Sequence, residues 1–233
     1  MIATTLPIKL SDVCLELYGS SSTVGRSLSQ AFTDATGTFD TTYENINGYR
    51  NSLQNFRGYS QGPYMAYMVA TATQTSDNGG PDANQWVNLN NATANNNLFA
   101  SSNIALGSLL NITDDLSFNN CGFSIPTGAT ITGIKVDFKA KRSSASVTVR
   151  DDQFLLRKNY ILTGDSKATS VDWGTTSQIR TYGGNTDLWG TTWTPAEVNN
   201  IGFGFNARGW RNTGTANVTC YVDYVGIYIY YTL

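Results

Sequence analysis

Histidine is absent from the 233 residues. Its absence removes Ser-His-Asp triads, Cys-His pairs and imidazole metal clusters together. Charged side chains make up only 14% of the chain, and the net charge is -2. Neutralising a phosphate backbone takes clustered Lys and Arg, so no nucleic-acid partner is expected. Cysteine is scarce: Cys14, Cys121 and Cys220 are an odd count at wide spacing and do not make a disulfide framework. They read as small buried hydrophobes, or as one Cys121–Cys220 bridge beside a free thiol. No apolar run approaches the roughly 20 residues of a membrane span. Met1–Pro7 has no basic segment leading into an apolar one. Neither a membrane partner nor a signal peptide is expected.

What the chain does have is 40% apolar residues, enough for a sizeable core, and a polar complement dominated by Asn, Thr, Ser and Gly. Thirteen Tyr and five Trp add large amphipathic rings. This balance suits an all-β protein with many tight turns.

The first 60 residues read differently from the rest. Ser11 as N-cap, Val13, Cys14, Leu15 and Leu17 as the apolar stripe and Gly19 as the stop predict a short helix. Ser27–Phe32 and Asn51–Gly58 predict two further helical turns. None is long enough to stand alone, so each needs a partner surface. Residues 61–83, with turn signals at Gly62-Pro63 and Asp77–Asp82, read as a linker or extra strand, Tyr64 to Thr73 being the pairing segment. A short strand around Trp86–Leu89 then runs into a loop or short helix.

Residues 84–233 carry the β signal. Ile134, Val136, Phe138 and Ala140 alternate with Lys135, Asp137, Lys139 and Lys141, which predicts a strand with one dry and one wet face. Val147, Val149 and Phe154–Leu156 follow. Ile201, Phe203, Phe205 and Ala207 alternate with Gly202 and Gly204, whose bare side invites close packing or a bend. In the last strand the apolar phase jumps from Val218, Cys220 and Val222 to Val225, Ile227 and Ile229, predicting a bulge near Tyr224–Gly226. Thr194-Pro195-Ala196-Glu197 is a capping box opening a short helix. The expected fold is mainly β: an antiparallel, jelly-roll-like β-sandwich of roughly eight strands with a small, partly helical N-terminal segment.

The chemistry is sparse. The doublets Asp114-Asp115 and Asp151-Asp152 cannot face each other across a cleft, because adjacent strand residues point to opposite faces. They read as solvated acids, with structural Ca2+ the one cofactor they could help hold. No phosphate-loop or dinucleotide pattern appears, and no catalytic residue or metal ligand is assigned. Trp173, Tyr182, Trp189, Trp193 and Trp210, with Asp187 and Arg208 near them in sequence, either fill the core or form a glycan or partner contact surface.

Ile8-Lys9-Leu10-Ser11-Asp12-Val13, Glu16-Leu17-Tyr18-Gly19, Ser27-Leu28-Ser29-Gln30 and Ser52-Leu53-Gln54-Asn55-Phe56-Arg57-Gly58 resemble a pattern that opens many bacteriophage structural proteins, here with an insertion between Ala31 and Asn51. Phe123–Ile131, Gly183–Gly190 and Val222–Val225 are similar to β domains of phage and prophage virion proteins. The resemblance implies a virion component of tail, fibre, baseplate or head-decoration type, made in the bacterial cytoplasm and released by lysis. It implies no enzyme activity. Residues 1–60 would anchor it to other virion proteins through Leu10, Val13, Leu17, Leu28, Phe32, Leu53, Phe56 and Arg57. A homo-oligomer presenting the sandwich is expected, and the alternative role is a carbohydrate-binding or receptor-binding module meeting host-surface glycan.

Overall fold

The computed structural model describes Val13, Ala31 and residues 64–69, 71–75 and 84–232. Along the chain these form β1 (Tyr64–Val69), β2 (Thr71–Thr75), β3 (Trp86–Val87), β4 (Ala100–Ile104), β5 (Asp115–Asn119) and β6 (Thr130–Arg142). Then come β7 (Thr148–Lys158), β8 (Ile161–Thr163), β9 (Gln178–Gly184), the one-turn helix α1 (Pro195–Val198), β10 (Gly204–Thr213) and β11 (Val218–Thr232). A 3-10 turn, Leu89–Ala92, follows β3.

The strands make two sheets. One runs β3-β4-β11-β6-β9, with β1 also paired to β11; the other runs β2-β5-β10-β7-β8. From β4 onward the chain passes back and forth between them, and the pairings with described register are antiparallel. The expected antiparallel sandwich is therefore present.

The dry half of the β6 alternation is present; on the other half Asp137 is buried and Lys135, Lys139 and Lys141 are only partly exposed. Ile134, Val136, Phe138 and Ala140 are buried in the shared core. Phe138 joins the sheets: its ring lies 5.1 Å from Phe154, 5.5 Å from Trp173 and 6.2 Å from Phe205. Each such side chain taken out of water contributes about 1.5–3 kcal/mol. The phase jump in β11 also holds, since Val218, Cys220, Val222, Val225, Ile227 and Ile229 are all core residues. Alternate residues face opposite ways, so the change from even to odd positions requires one extra residue between Val222 and Val225.

Gly204 bears out the expectation of close packing. A methyl at that position would sit 1.7 Å from the Phe118 carbonyl oxygen of β5. The capping box of α1 is formed in full: Glu197 N–H donates to Thr194 Oγ1 at 3.3 Å, and Thr194 N–H donates to Glu197 Oε2 at 2.8 Å.

Two expectations are corrected and one open alternative is closed. Tyr64 to Thr73 is not one strand: β1 pairs in the six-stranded sheet and β2 in the five-stranded one. Ile201, expected in the core, is 59% exposed because it sits in the turn before β10. Cys121 and Cys220 are both free and buried, which settles that alternative in favour of small core residues.

Candidate functional site

The predicted aromatic cluster is mostly core. Trp173, Tyr182, Trp189 and Trp193 are buried and cannot form a contact surface. Trp189 packs 6.1 Å from Phe205 and donates its indole N–H to the Ile134 carbonyl at 2.9 Å. Trp193 packs 5.4 Å from Phe203. Asp187 accepts from the Trp189 N–H at 2.8 Å and pairs with Lys167 at 2.8 Å, fixing the loop that carries Trp189. Arg208 and Trp210 alternate with the core residue Ala207 and with Gly209, so both lie on the outer side of the five-stranded sheet. There Arg208 pairs with Asp152, and Trp210 is 38% exposed.

Trp173 and Tyr182 meet at Asp151. The Asp151 side chain is fully buried. Its Oδ1 accepts from Trp173 Nε1 at 2.7 Å and Arg180 at 3.2 Å, and its Oδ2 from Tyr182 at 2.9 Å, Thr169 N–H at 3.0 Å and Thr169 Oγ1 at 2.8 Å. Burial above all, then the Asp151 charge, pushes the Tyr182 phenol up. The expectation that this doublet is a solvated pair is corrected for Asp151, which is a buried tie between β7, β9 and the 169–173 loop. Its neighbour Asp152 is the extra residue at a register shift: Arg208 pairs with Gln153, but Gly209 pairs with Asp151. Among the described residues no group of acids and thiols is placed to hold a metal ion.

Of the candidate docking residues only Val13 is described, helical and buried. Leu10, Leu17, Leu28, Phe32, Leu53, Phe56 and Arg57 lie outside the described residues.

The solvent side of the six-stranded sheet holds a surface the aromatic argument missed. The β6 residues that alternate with its core positions, Lys135, Asp137, Lys139 and Lys141, line up beside the outward tyrosines of β11. At one end Tyr67 of β1, 42% exposed, packs at a tilt of 34° against Tyr228 with ring centres 4.6 Å apart and shares a hydrogen bond with the Tyr224 hydroxyl. Lys135 Nζ lies 3.7 Å from the Tyr228 ring centre and 3.1 Å from Asp137, which also accepts from Thr181 at 2.7 Å. At the other end Lys141 Nζ lies 4.3 Å from the Phe99 ring and 5.3 Å from the Tyr221 ring, and these rings meet edge-on at 5.7 Å. Between them Lys139 pairs with Asp223 at 2.7 Å and donates to Asn95 and Asn97. From Lys141–Tyr221 to Lys135–Tyr228, six steps along β6 face seven along β11, which is the extra residue again.

Three groups at the Tyr67–Tyr228 end have displaced titrations. Burial, then the Tyr67 hydroxyl, pushes the Tyr224 phenol up; burial, then Asp137, does so for Tyr228. Desolvation pulls Lys135 down, but its hydrogen bond and attraction to Asp137 outweigh that and leave it raised. The face presents aromatic rings, ammonium groups and amides, a set suited to holding a polar ligand with ring-shaped apolar faces. One sequence signal could have found it: Tyr221, Tyr228 and Tyr230 stand out of phase with the core residues of β11, as the lysines do in β6.

No protein-family model and no curated relative matches the chain. Among solved structures, a CBM4 domain is similar over 69% of this chain and 92% of its own, at 15% identity and a TM-score of 0.34. The N-terminal cellulose-binding domain of Cellulomonas fimi beta-1,4-glucanase C is similar over 70% and 96%, at 17% identity and a TM-score of 0.37. The unliganded CBM1 of BiXyn10A is similar over 71% and 99%, at 9% identity and a TM-score of 0.29.

Proposed function

We propose that this chain is a non-catalytic recognition subunit of a bacteriophage particle, whose sandwich binds glycan through the outer face of its six-stranded sheet. The observation that carries the glycan reading is the Tyr67–Tyr228 ring pair beside Lys135 and Asp137. Rings held by packing offer area at little conformational cost. Beside them the partly exposed Lys135 ammonium, held by Asp137, can still donate, and the Thr181 hydroxyl oxygen can still accept, as sugar hydroxyls require. The phage-like segments Ile8–Gly19 and Ser52–Gly58 support the virion reading, with residues 1–60 docking on other virion proteins. The weave of β4-β11-β6-β9 over β5-β10-β7-β8 supports a jelly-roll, an architecture frequent in capsid and lectin domains.

A bacterial glycan array probed with the full chain tests the binding. We expect hits that weaken about tenfold or more in Tyr67→Ala and Tyr228→Ala, with circular dichroism unchanged. An array without hits overturns the glycan reading. Antibody labelling of assembled particles tests the location; unlabelled particles overturn the virion reading.

A further inference from the structure

Three lysines share the outer face of β6, and their surroundings differ in one respect. Lys135 is paired with Asp137 and covered by Tyr228. Lys139 is engaged by Asp223, Asn95 and Asn97. Lys141 lies against the rings of Phe99 and Tyr221 and has no carboxylate or carbonyl partner among the described residues. A ring face attracts an ammonium group but accepts none of its three N–H bonds in the way an oxygen does. The Lys141 charge is therefore held in place with its hydrogen-bonding capacity unspent on the described residues.

We infer that Lys141 seats the carboxylate of an acidic sugar, so that the glycan bound on this face is a uronic-acid type. This rests on the glycan reading above. The Phe99–Tyr221 pair provides ring surface for the sugar body, and the Asn95 and Asn97 amide nitrogens are not used by Lys139, which takes their oxygens. A neutral sugar leaves the Lys141 donors unmatched, whereas a carboxylate makes a charge-assisted hydrogen bond there. A phosphate polymer is disfavoured, because the two neighbouring lysines already carry acid partners and the net charge is -2. From Lys135 to Lys141 the face runs roughly 20 Å, at about 3.3 Å per strand residue, which accommodates an extended oligosaccharide.

Affinity electrophoresis of the full chain through gels containing polygalacturonate, alginate or hyaluronan, each beside its carboxyl-reduced form, tests the assignment. Expected are retardation by at least one acidic polymer, loss of about tenfold or more in Lys141→Met, and recovery in Lys141→Arg. Equal retardation by acidic and reduced forms, or an unchanged Lys141→Met, overturns the acid preference and leaves glycan binding standing. Retardation by none of the polymers, acidic or reduced, overturns the assignment and counts against the glycan reading itself. Circular dichroism of both variants separates lost contact from lost fold.

Discussion

The indole N–H of Trp173 donates to the buried carboxylate of Asp151 at 2.7 Å, and that contact organises one end of the sandwich. Asp151 belongs to β7 of the five-stranded sheet, while Arg180 and Tyr182, which also donate to it, belong to β9 of the six-stranded one. The carboxylate therefore ties the two sheets through charge-assisted hydrogen bonds, where hydrophobic packing does so elsewhere.

Removing that carboxylate leaves Trp173 Nε1 and the Tyr182 hydroxyl without their acceptor in a dry site, and leaves Arg180 only the Val171 and Asp172 carbonyls. Asp151→Ala is expected to cost about 3–5 kcal/mol, and Asp151→Asn less, because one acceptor oxygen remains. Urea unfolding followed by tryptophan fluorescence reads both. A loss below about 1 kcal/mol in the alanine variant would show that the network does not hold the sheets together.

Acid should weaken the fold through two carboxylates. Burial raises Asp187, but the Lys167 and Trp189 N–H hydrogen bonds and the Lys167 charge outweigh it and leave it lowered. Glu197 is lowered in the same sense, burial being outweighed by Lys158 and by the Thr194 N–H and hydroxyl. A depressed native pKa means that the unfolded chain binds more protons in acid. The stabilisation is complete above the unfolded carboxylate range, near pH ~4, and disappears as pH falls through the native values. The thermal midpoint should therefore drop below about pH 4, less steeply in Asp187→Asn and Glu197→Gln. Both groups are about a third exposed, so added salt should shrink the effect. Identical acid profiles in wild type and both variants would exclude these pairs as its source.

The described thiols should be inert in the native protein. Burial pushes Cys121 up to about 12, against a smaller backbone hydrogen-bond effect, and pushes Cys220 up further. Only the thiolate reacts. Ellman-type labelling at pH 8, read by peptide mass spectrometry, should leave Cys121 and Cys220 unmodified until guanidinium is added. Native labelling of either would show that its part of the core opens readily.

Residues close in sequence told their own story correctly. The α1 capping box, the dry face of β6, the phase jump in β11 and the close approach at Gly204 all follow from local stereochemistry, which a few neighbouring residues set. The aromatic loops did not yield to the same reading. Trp173, Trp189 and Trp193 stand in Gly-, Asn- and Thr-rich stretches with no period of two, so nothing local tells an inward ring from an outward one.

What the sequence determined by itself is an antiparallel β protein with a defined strand phase and no histidine chemistry, because alternation and composition are properties of short stretches. Only the tertiary structure decided that Asp151 is a buried tie and that the exposed aromatic face belongs to tyrosines. Tyr67 and Tyr228 are 161 positions apart, and Lys141 meets Phe99 across 42. Such neighbours arise when β1 and β6 both pair with β11 and the 95–99 loop folds over it, a long-range arrangement that the burial of one shared core selects.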